Sequence, residues 1–204
     1  MRADLVDGFD VADESHVSEL AETVVREHGG VDVLFNNAGI AGVGDVEETS
    51  LELFERVLRV NVRGVFLMTR AVVPAMKRRR SGSIVNMSSA IAEIGLGRRV
   101  SYAASKGAVL AMTKSLQVDL APFGVRVNAL MPGTIMTPFV ERYVAESYAD
   151  PEAARQSIRS RQLTGELGTP GDVARAALYL ASDESRFVMG AGIAIDGGLT
   201  AGKP

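Results

Sequence analysis

The sequence predicts an α/β fold on a parallel sheet, and three observations carry that prediction. Short apolar runs alternate with longer segments of helical periodicity, the pattern of strands joined by crossover helices. No internal repeat, low-complexity tract or Pro/Ser-rich linker interrupts the alternation, so residues 1–204 read as one continuous domain. Hydrophobic residues make up 47% and charged residues 23% of the chain, a composition that can bury a core and excludes a disordered or fibrous protein.

Taken from the N-terminus, Leu5 to Phe9 is no more than a short strand. Glu14 to Glu27 is an amphipathic helix ended by His28-Gly29-Gly30, where glycine accepts the left-handed conformation that closes a helix. Val31 to Phe35 reads as a strand. A helix follows from about Ser50, with Leu53, Val57, Leu58, Val65 and Leu67 broadly at helical spacing. Ser83 to Met87 is the next strand. Tyr102 to Leu120, rich in Ala, Leu and Met, is a long buried helix that Pro122 and Gly124 help to stop. Val125 to Leu130 is a strand ended by Pro132-Gly133. Thr134 to Gly168 differs: Pro138, Pro151 and, just beyond, Pro170 break it up, and its length marks a lid or substrate-binding segment. Asp172 to Ser182 is a helix capped by Gly171 or Asp172. Ala191 to Ile195 is a last strand, closed by Asp196-Gly197-Gly198.

Composition narrows the partners. Lys+Arg 22 against Asp+Glu 25 gives a formal charge of −3, with no global basic field to gather nucleic acid. The basic run Lys77-Arg78-Arg79-Arg80 reads as a solvated helix end, where cations complement the dipole. With no Trp and 5% aromatics, base stacking has little to use. No apolar stretch approaches the roughly 18 residues of a membrane helix, and the acidic N-terminal residues lack a secretory signal's apolar region. Zero cysteines remove disulfides, thiolate metal sites and cysteine nucleophiles, and fit a cytoplasmic location. His16 and His28 have no third ligand at metal spacing, so no metal is expected.

In an open parallel sheet, ligands sit beyond the carboxyl ends of the strands. Asn36-Asn37-Ala38-Gly39, Ser88-Ser89 and Pro132-Gly133-Thr134 fall at three successive such ends. Tyr102 and Lys106, four residues apart, share a helix face. An ammonium beside a phenol favours the phenolate and brings it toward the range useful for proton transfer. A serine hydroxyl could then hold the reacting oxygen beside Tyr102.

These residues resemble the short-chain dehydrogenase/reductase family. The similarity runs from about Asp10 to Gly198 through Asn36-Asn-Ala-Gly39, Asn61-Val-Arg-Gly64, Ser83-Ile-Val-Asn-Met-Ser-Ser89, Tyr102-Ala-Ala-Ser-Lys106, Val127-Asn-Ala-Leu-Met-Pro-Gly133 and Asp196-Gly-Gly198. The resemblance implies a Rossmann-like doubly wound sheet and an NAD(P)-dependent oxidoreductase, with NAD favoured over NADP. It implies that Ser89, rather than Ser88, binds the substrate oxygen and that Tyr102 is the general acid or base. Lys106 would lower the Tyr102 pKa and hold the nicotinamide ribose, and Asn61 would support a water-linked proton path. Asn37, Ala38 and Gly39 would line the cofactor, with Asp10 and Val11 at the adenine. Pro132 and Gly133 would pass the nicotinamide, and Ile135 and Thr137 would contact its carboxamide. The family also implies a homo-oligomer, a tetramer or a dimer, on the helices holding Asn61 and Tyr102.

One departure stands out. The family begins with a strand, a glycine-rich turn, a helix and a further strand and helix, and this chain starts at the third strand. Gly39, Gly42 and Gly44 follow Asn36-Asn37 and open no β-α unit, so they read as loop residues. Strands 1 and 2 of the family sheet, roughly 50–60 residues with their helices, are expected to be absent. Leu5–Phe9 would then lack a sheet partner and Val31–Phe35 would be an open edge. Either Met1 is a miscalled start or the chain is a true fragment; the intact downstream positions favour the first.

The stretch from Pro132 to Gly198 is similar to enzymes of small hydroxy acids or keto-deoxy sugar acids, with cytosolic hydroxybutyrate dehydrogenases the nearest comparison. Arg99, Arg142 and Arg161 stand where they could clamp a substrate carboxylate, a task suited to the bidentate guanidinium. Two alternatives remain beside a dehydrogenase: an inactive partner of complete subunits, and a binding protein that kept only the substrate pocket.

Overall fold

A computed structural model describes residues 8–147 and 150–202. Its four strands are β1 (Val33–Asn36), β2 (Gly82–Met87), β3 (Val125–Pro132) and β4 (Gly192–Ile195). They form one parallel sheet in the order β1-β2-β3-β4. The helices are α1 (Glu14–His28), α2 (Leu51–Leu58), α3 (Gly64–Arg79), α4 (Val100–Leu120), α5 (Pro138–Ser147), α6 (Pro151–Arg159) and α7 (Pro170–Ala181). This is the Rossmann-like α/β architecture, with helices on both faces of the sheet.

Successive residues of a strand point to opposite faces, and both faces of the central strands bury apolar side chains. Ile84 of β2 joins Leu34, Val72, Met76, Leu120, Val125 and Val127 beneath α3 and α4. Its neighbour Val85 joins Leu130, Val173 and Leu180 beneath α7. β1 is covered on one side only. Leu34 is buried opposite Ile84, whereas Phe35, in register with Val85, is 40% exposed and Val33 41%. Among the described residues β1 has a single strand neighbour, β2. Leu5, Val6 and Asp7 of the expected first strand lie outside the described residues. Phe9 belongs to no strand and stacks on His16 instead.

Local chemistry sets the helix ends. Asp13 caps α1 by accepting from the Ser15 and His16 amides, and Gly29 closes it at φ 77°. The helix expected from Ser50 is capped there, but a π-helical turn over Arg59–Arg63 divides it into α2 and α3. That wider turn points Asn61 inward, where it is 1% exposed. The prolines of the 134–168 segment act differently from expectation. Pro138 begins α5, and Pro151 and Pro170 occupy the first turns of α6 and α7. Proline suits that position because its missing N–H has no partner there. The cap of α7 is Thr169, not Gly171 or Asp172. Asp172 is the third residue of the helix, and its carboxylate accepts from both the amide and the hydroxyl of Thr169.

Candidate active site

The carboxyl ends of β2 and β3, the first turns of α4 and the 134–168 segment enclose a cavity of about 310 Å³. Ser89, Tyr102 and Lys106 line it together with Asn37, Gly39, Pro132, Gly133, Ile135 and Thr137. Arg99 and Arg161 line it too. Arg142 belongs to α5, and its side chain lies outside the described residues.

Lys106 is 3% exposed. Its Nζ donates to the Met87 carbonyl at 2.7 Å and lies 5.5 Å from the centre of the Tyr102 ring. Burial pulls the amine down to about 8, so it still carries its charge through most of the neutral range. Burial pushes the Tyr102 phenol up, while a hydrogen bond with Ser89 and the charge of Arg99 pull it the other way. Two cations thus stand near the phenol: Arg99, whose charge pulls its pKa down, and Lys106, whose head is turned to a backbone carbonyl 5.5 Å from the ring centre. The Ser89 hydroxyl also lies 3.4 Å from the Pro132 carbonyl and accepts weakly from the Ile91 amide at 3.3 Å.

Asn61 is fully engaged. Its Oδ1 accepts from the Ile40 amide at 2.8 Å, and its Nδ2 donates to the Ile40 carbonyl at 2.9 Å and to Ser105 Oγ at 3.0 Å. The side chain therefore ties the loop after β1 to α4, leaving only its main chain to serve a proton path. Ser88 is spoken for as well: its hydroxyl donates to the Lys106 carbonyl at 2.9 Å, which separates it from Ser89.

Two glycines have clear steric causes. A Cβ on Gly133 would lie 2.9 Å from Asp196 Cα, because the ends of β3 and β4 touch there. A Cβ on Gly39 would fill the space 3.5 Å from Lys106 Nζ and 3.2 Å from Asn61 Oδ1. The cradle at Gly39, with Pro132, Gly133 and the side chains of Ile135 and Thr137, fits a flat heteroaromatic amide such as nicotinamide. A second, smaller cleft of about 70 Å³ gathers Val11, Asn37 and Ala38 with Phe35, Val60 and Met68. Asp10 stands apart from its lining: the carboxylate accepts from the Ala12 amide and pairs with Arg59 at 3.3 Å.

The sequence missed the apolar wall of the main cavity, formed by Ile40, Ala41, Ile91, Leu96, Val140, Ile158 and Leu199. Ile40, directly after Asn36-Asn37-Ala38-Gly39, and Leu199, directly after Asp196-Gly197-Gly198, had a motif beside them as a signal. Among the described residues no group of three His, Asp or Glu could hold a metal ion, and no helix is long and apolar enough to cross a membrane.

A Rossmann-like parallel sheet with Ser89, Tyr102 and Lys106 at one cavity is the arrangement that the resemblance implied. The profile of the family described as enoyl-(acyl carrier protein) reductase matches residues 3–200. The chain is 44% identical over 191 residues to the 3-oxoacyl-(acyl-carrier-protein) reductase of Thermotoga maritima, spanning 94% of this chain and 75% of the relative. It is 42% identical over 193 residues to the cyclopentanol dehydrogenase of a Comamonas strain, spanning 95% and 75%. A relative from Xanthobacter autotrophicus, 38% identical over 194 residues (95% of this chain, 84% of its own), is named an inactive 2-(S)-hydroxypropyl-CoM dehydrogenase. The solved gluconate 5-dehydrogenase of Burkholderia cenocepacia, in complex with NADP and tartrate, superposes with a TM-score of 0.88 at 33% identity, over 95% of this chain and 74% of that one. An NAD+-bound xylitol dehydrogenase gives 0.87 at 34% identity, over 93% and 76%. The chain belongs to the short-chain dehydrogenase/reductase family, and it is an oxidoreductase by that membership.

Proposed function

We propose that the chain moves hydride between a nicotinamide dinucleotide and a small secondary alcohol or ketone, and that its substrates are hydroxy acids or sugar acids. The observation that carries this is the convergence of Ser89, Tyr102 and Lys106 with Arg99 and Arg161 on one apolar-walled cavity. In the oxidative direction Ser89 holds the substrate hydroxyl and Tyr102 takes its proton. Bound nicotinamide supplies the acceptor for the hydride leaving the carbinol carbon. Lys106 anchors the Met87 carbonyl, holds the cofactor ribose and places a positive charge near the phenol. The carboxyl end of the substrate meets Arg99 and Arg161, with Arg142 as a third candidate.

NAD is favoured over NADP, since Asp10 and Arg59 are already paired beside Val11, an arrangement that suits an uncharged ribose better than a phosphate. Asn37, Ala38, Gly39, Pro132, Gly133, Ile135 and Thr137 complete the proposed cofactor contacts, with Val11 and Asp10 toward the adenine. We place the protein in the cytoplasm as a homo-oligomer; Leu178, Tyr179, Phe187 and Met189 expose apolar surface on the α7 side, which supports assembly.

Fluorescence titration of the purified chain with NADH, followed by reduction of NAD+ with hydroxy acids and neutral alcohols, tests the proposal. Binding with acid-dependent reduction is the expected result. Soluble, folded protein that binds no NADH defeats it and favours an inactive member of the family, a second reading with the inactive Xanthobacter relative on its side.

A further inference from the structure

Two buried serines, Ser88 at the cavity lining and Ser105 behind it, hold the carbonyls of the two residues that matter most. Ser105 is 0% exposed; its hydroxyl donates to the Tyr102 carbonyl at 2.8 Å and accepts from Asn61 Nδ2 at 3.0 Å. Ser88 is 2% exposed, and its hydroxyl donates to the Lys106 carbonyl at 2.9 Å. A hydroxyl has one proton to give. Because Ser105 spends it on Tyr102, a lone pair faces Asn61, and the π-helical turn, the serine and the tyrosine's own turn become one chain of hydrogen bonds.

Resting on Tyr102 as the proton-transferring group, the geometry points to Ser88 and Ser105 as positioning residues that fix the Tyr102–Lys106 turn against β2 and against Asn61. A serine bonding back to the carbonyl three residues earlier is common in helices and by itself sets nothing. The setting comes from contacts that reach the turn from outside the helix. Asn61 reaches α4 from outside the helix, and Ser88 reaches it from the end of β2. The turn is thereby held from two directions, and Tyr102 is kept at hydrogen-bonding reach of Ser89.

The test uses the full chain labelled with 13Cζ-tyrosine. It holds 4 tyrosines, and the Tyr102 resonance is the one that Tyr102→Phe removes. In Ser105→Ala and in Ser88→Ala the turn should loosen and admit water, so the Tyr102 titration midpoint should fall by about half a pH unit or more toward an ordinary phenol. Turnover should drop roughly tenfold with substrate KM little changed. Ser105→Thr keeps the hydroxyl and should restore the parental midpoint. An unmoved midpoint in both alanine variants, with only a lower Tm, overturns the inference and leaves the serines as packing. If Tyr102→Phe retains turnover, the assignment of Tyr102 fails instead, while the resonance still reports on the two serines.

Discussion

The floor of the cavity and its wall are built by different means. Behind the floor, buried polar side chains satisfy one another across the sheet. Asn36 donates to Asn86 at 2.8 Å, Asn86 to Thr113 at 2.9 Å, and Gln117 brackets β3 through the Val125 carbonyl and the Val127 amide. Such networks, once complete, rigidify a core and fix a single arrangement. The wall, by contrast, packs on its own small cluster of Val144, Ala154 and Ile158. Among the described residues it also offers the buried amide of Gln162 no hydrogen-bond partner for either its oxygen or its nitrogen. The contrast teaches a division of labour. In the proposed reaction, proton and hydride geometry is held by the satisfied floor, and substrate fit is left to a thinner layer that can yield at lower free energy.

The most drastic way to break this division is to remove the floor's proton carrier. Tyr102→Phe should cut turnover by about 10²- to 10⁴-fold, the usual worth of a positioned acid or base. NADH binding by fluorescence should stay near the parental value, because the phenol oxygen faces the substrate. Loss of binding in proportion to turnover would move Tyr102 from chemistry to cofactor holding.

Next in size is the charge buried in the floor. Lys106 titrates at about 8 in the folded chain against 10.5 when unperturbed. Below pH 8 the amine is charged in both states, and the folded state carries the full burial penalty, on the order of 3 kcal/mol. Between 8 and 10.5 the unfolded chain binds the extra proton, so this group makes stability rise with pH. Lys106→Met should therefore unfold at higher urea concentration at pH 7, with the gain shrinking toward pH 10.5. A gain that is flat across that range would show the burial penalty to be absent.

The wall should respond on substrate alone. Replacing Arg161 by Ala should raise KM for hydroxy acids about 10- to 30-fold, the size of one lost charge-assisted pairing, and leave neutral alcohols unaffected. An equal change for both substrate classes would remove the carboxylate clamp and leave Arg161 as a packing residue.

The floor was the more legible half in the sequence, and the reason is physical. Strands covered on both faces are rich in apolar residues, so Ser83–Met87 and Val125–Leu130 stood out, and the polar clusters just beyond their ends were conspicuous. Tyr102 and Lys106 were readable because four residues is one helical turn. The π-helical turn at Arg59–Arg63 was not, since one extra residue per turn barely disturbs an apolar periodicity, although it is what aims Asn61 inward. Nor was Ser105, whose value depends on Asn61 arriving from 44 residues away. In the wall, Pro138 and Pro151 suggested breaks where they open helices; proline disrupts a helix interior yet suits its first turn, and which applies depends on the residues that follow.

The smallest expected effect asks whether the wall is separable at all. Asp150 caps α6 by accepting from the Glu152 and Ala153 amides at 3.1 and 3.0 Å. Asp150→Ala should destabilise that helix by about 1 kcal/mol, the common worth of an N-cap. Because α6 carries Ile158 and leads into Arg161, both on the cavity, the fraying should appear as faster amide exchange in 151–159 and a modest rise in KM for acids. If wall and floor are independent, NADH affinity and the exchange of α4 amides stay parental. Faster exchange in α4 as well would join the two regions into one cooperative unit, and the floor's rigidity would then rest partly on the layer that covers it.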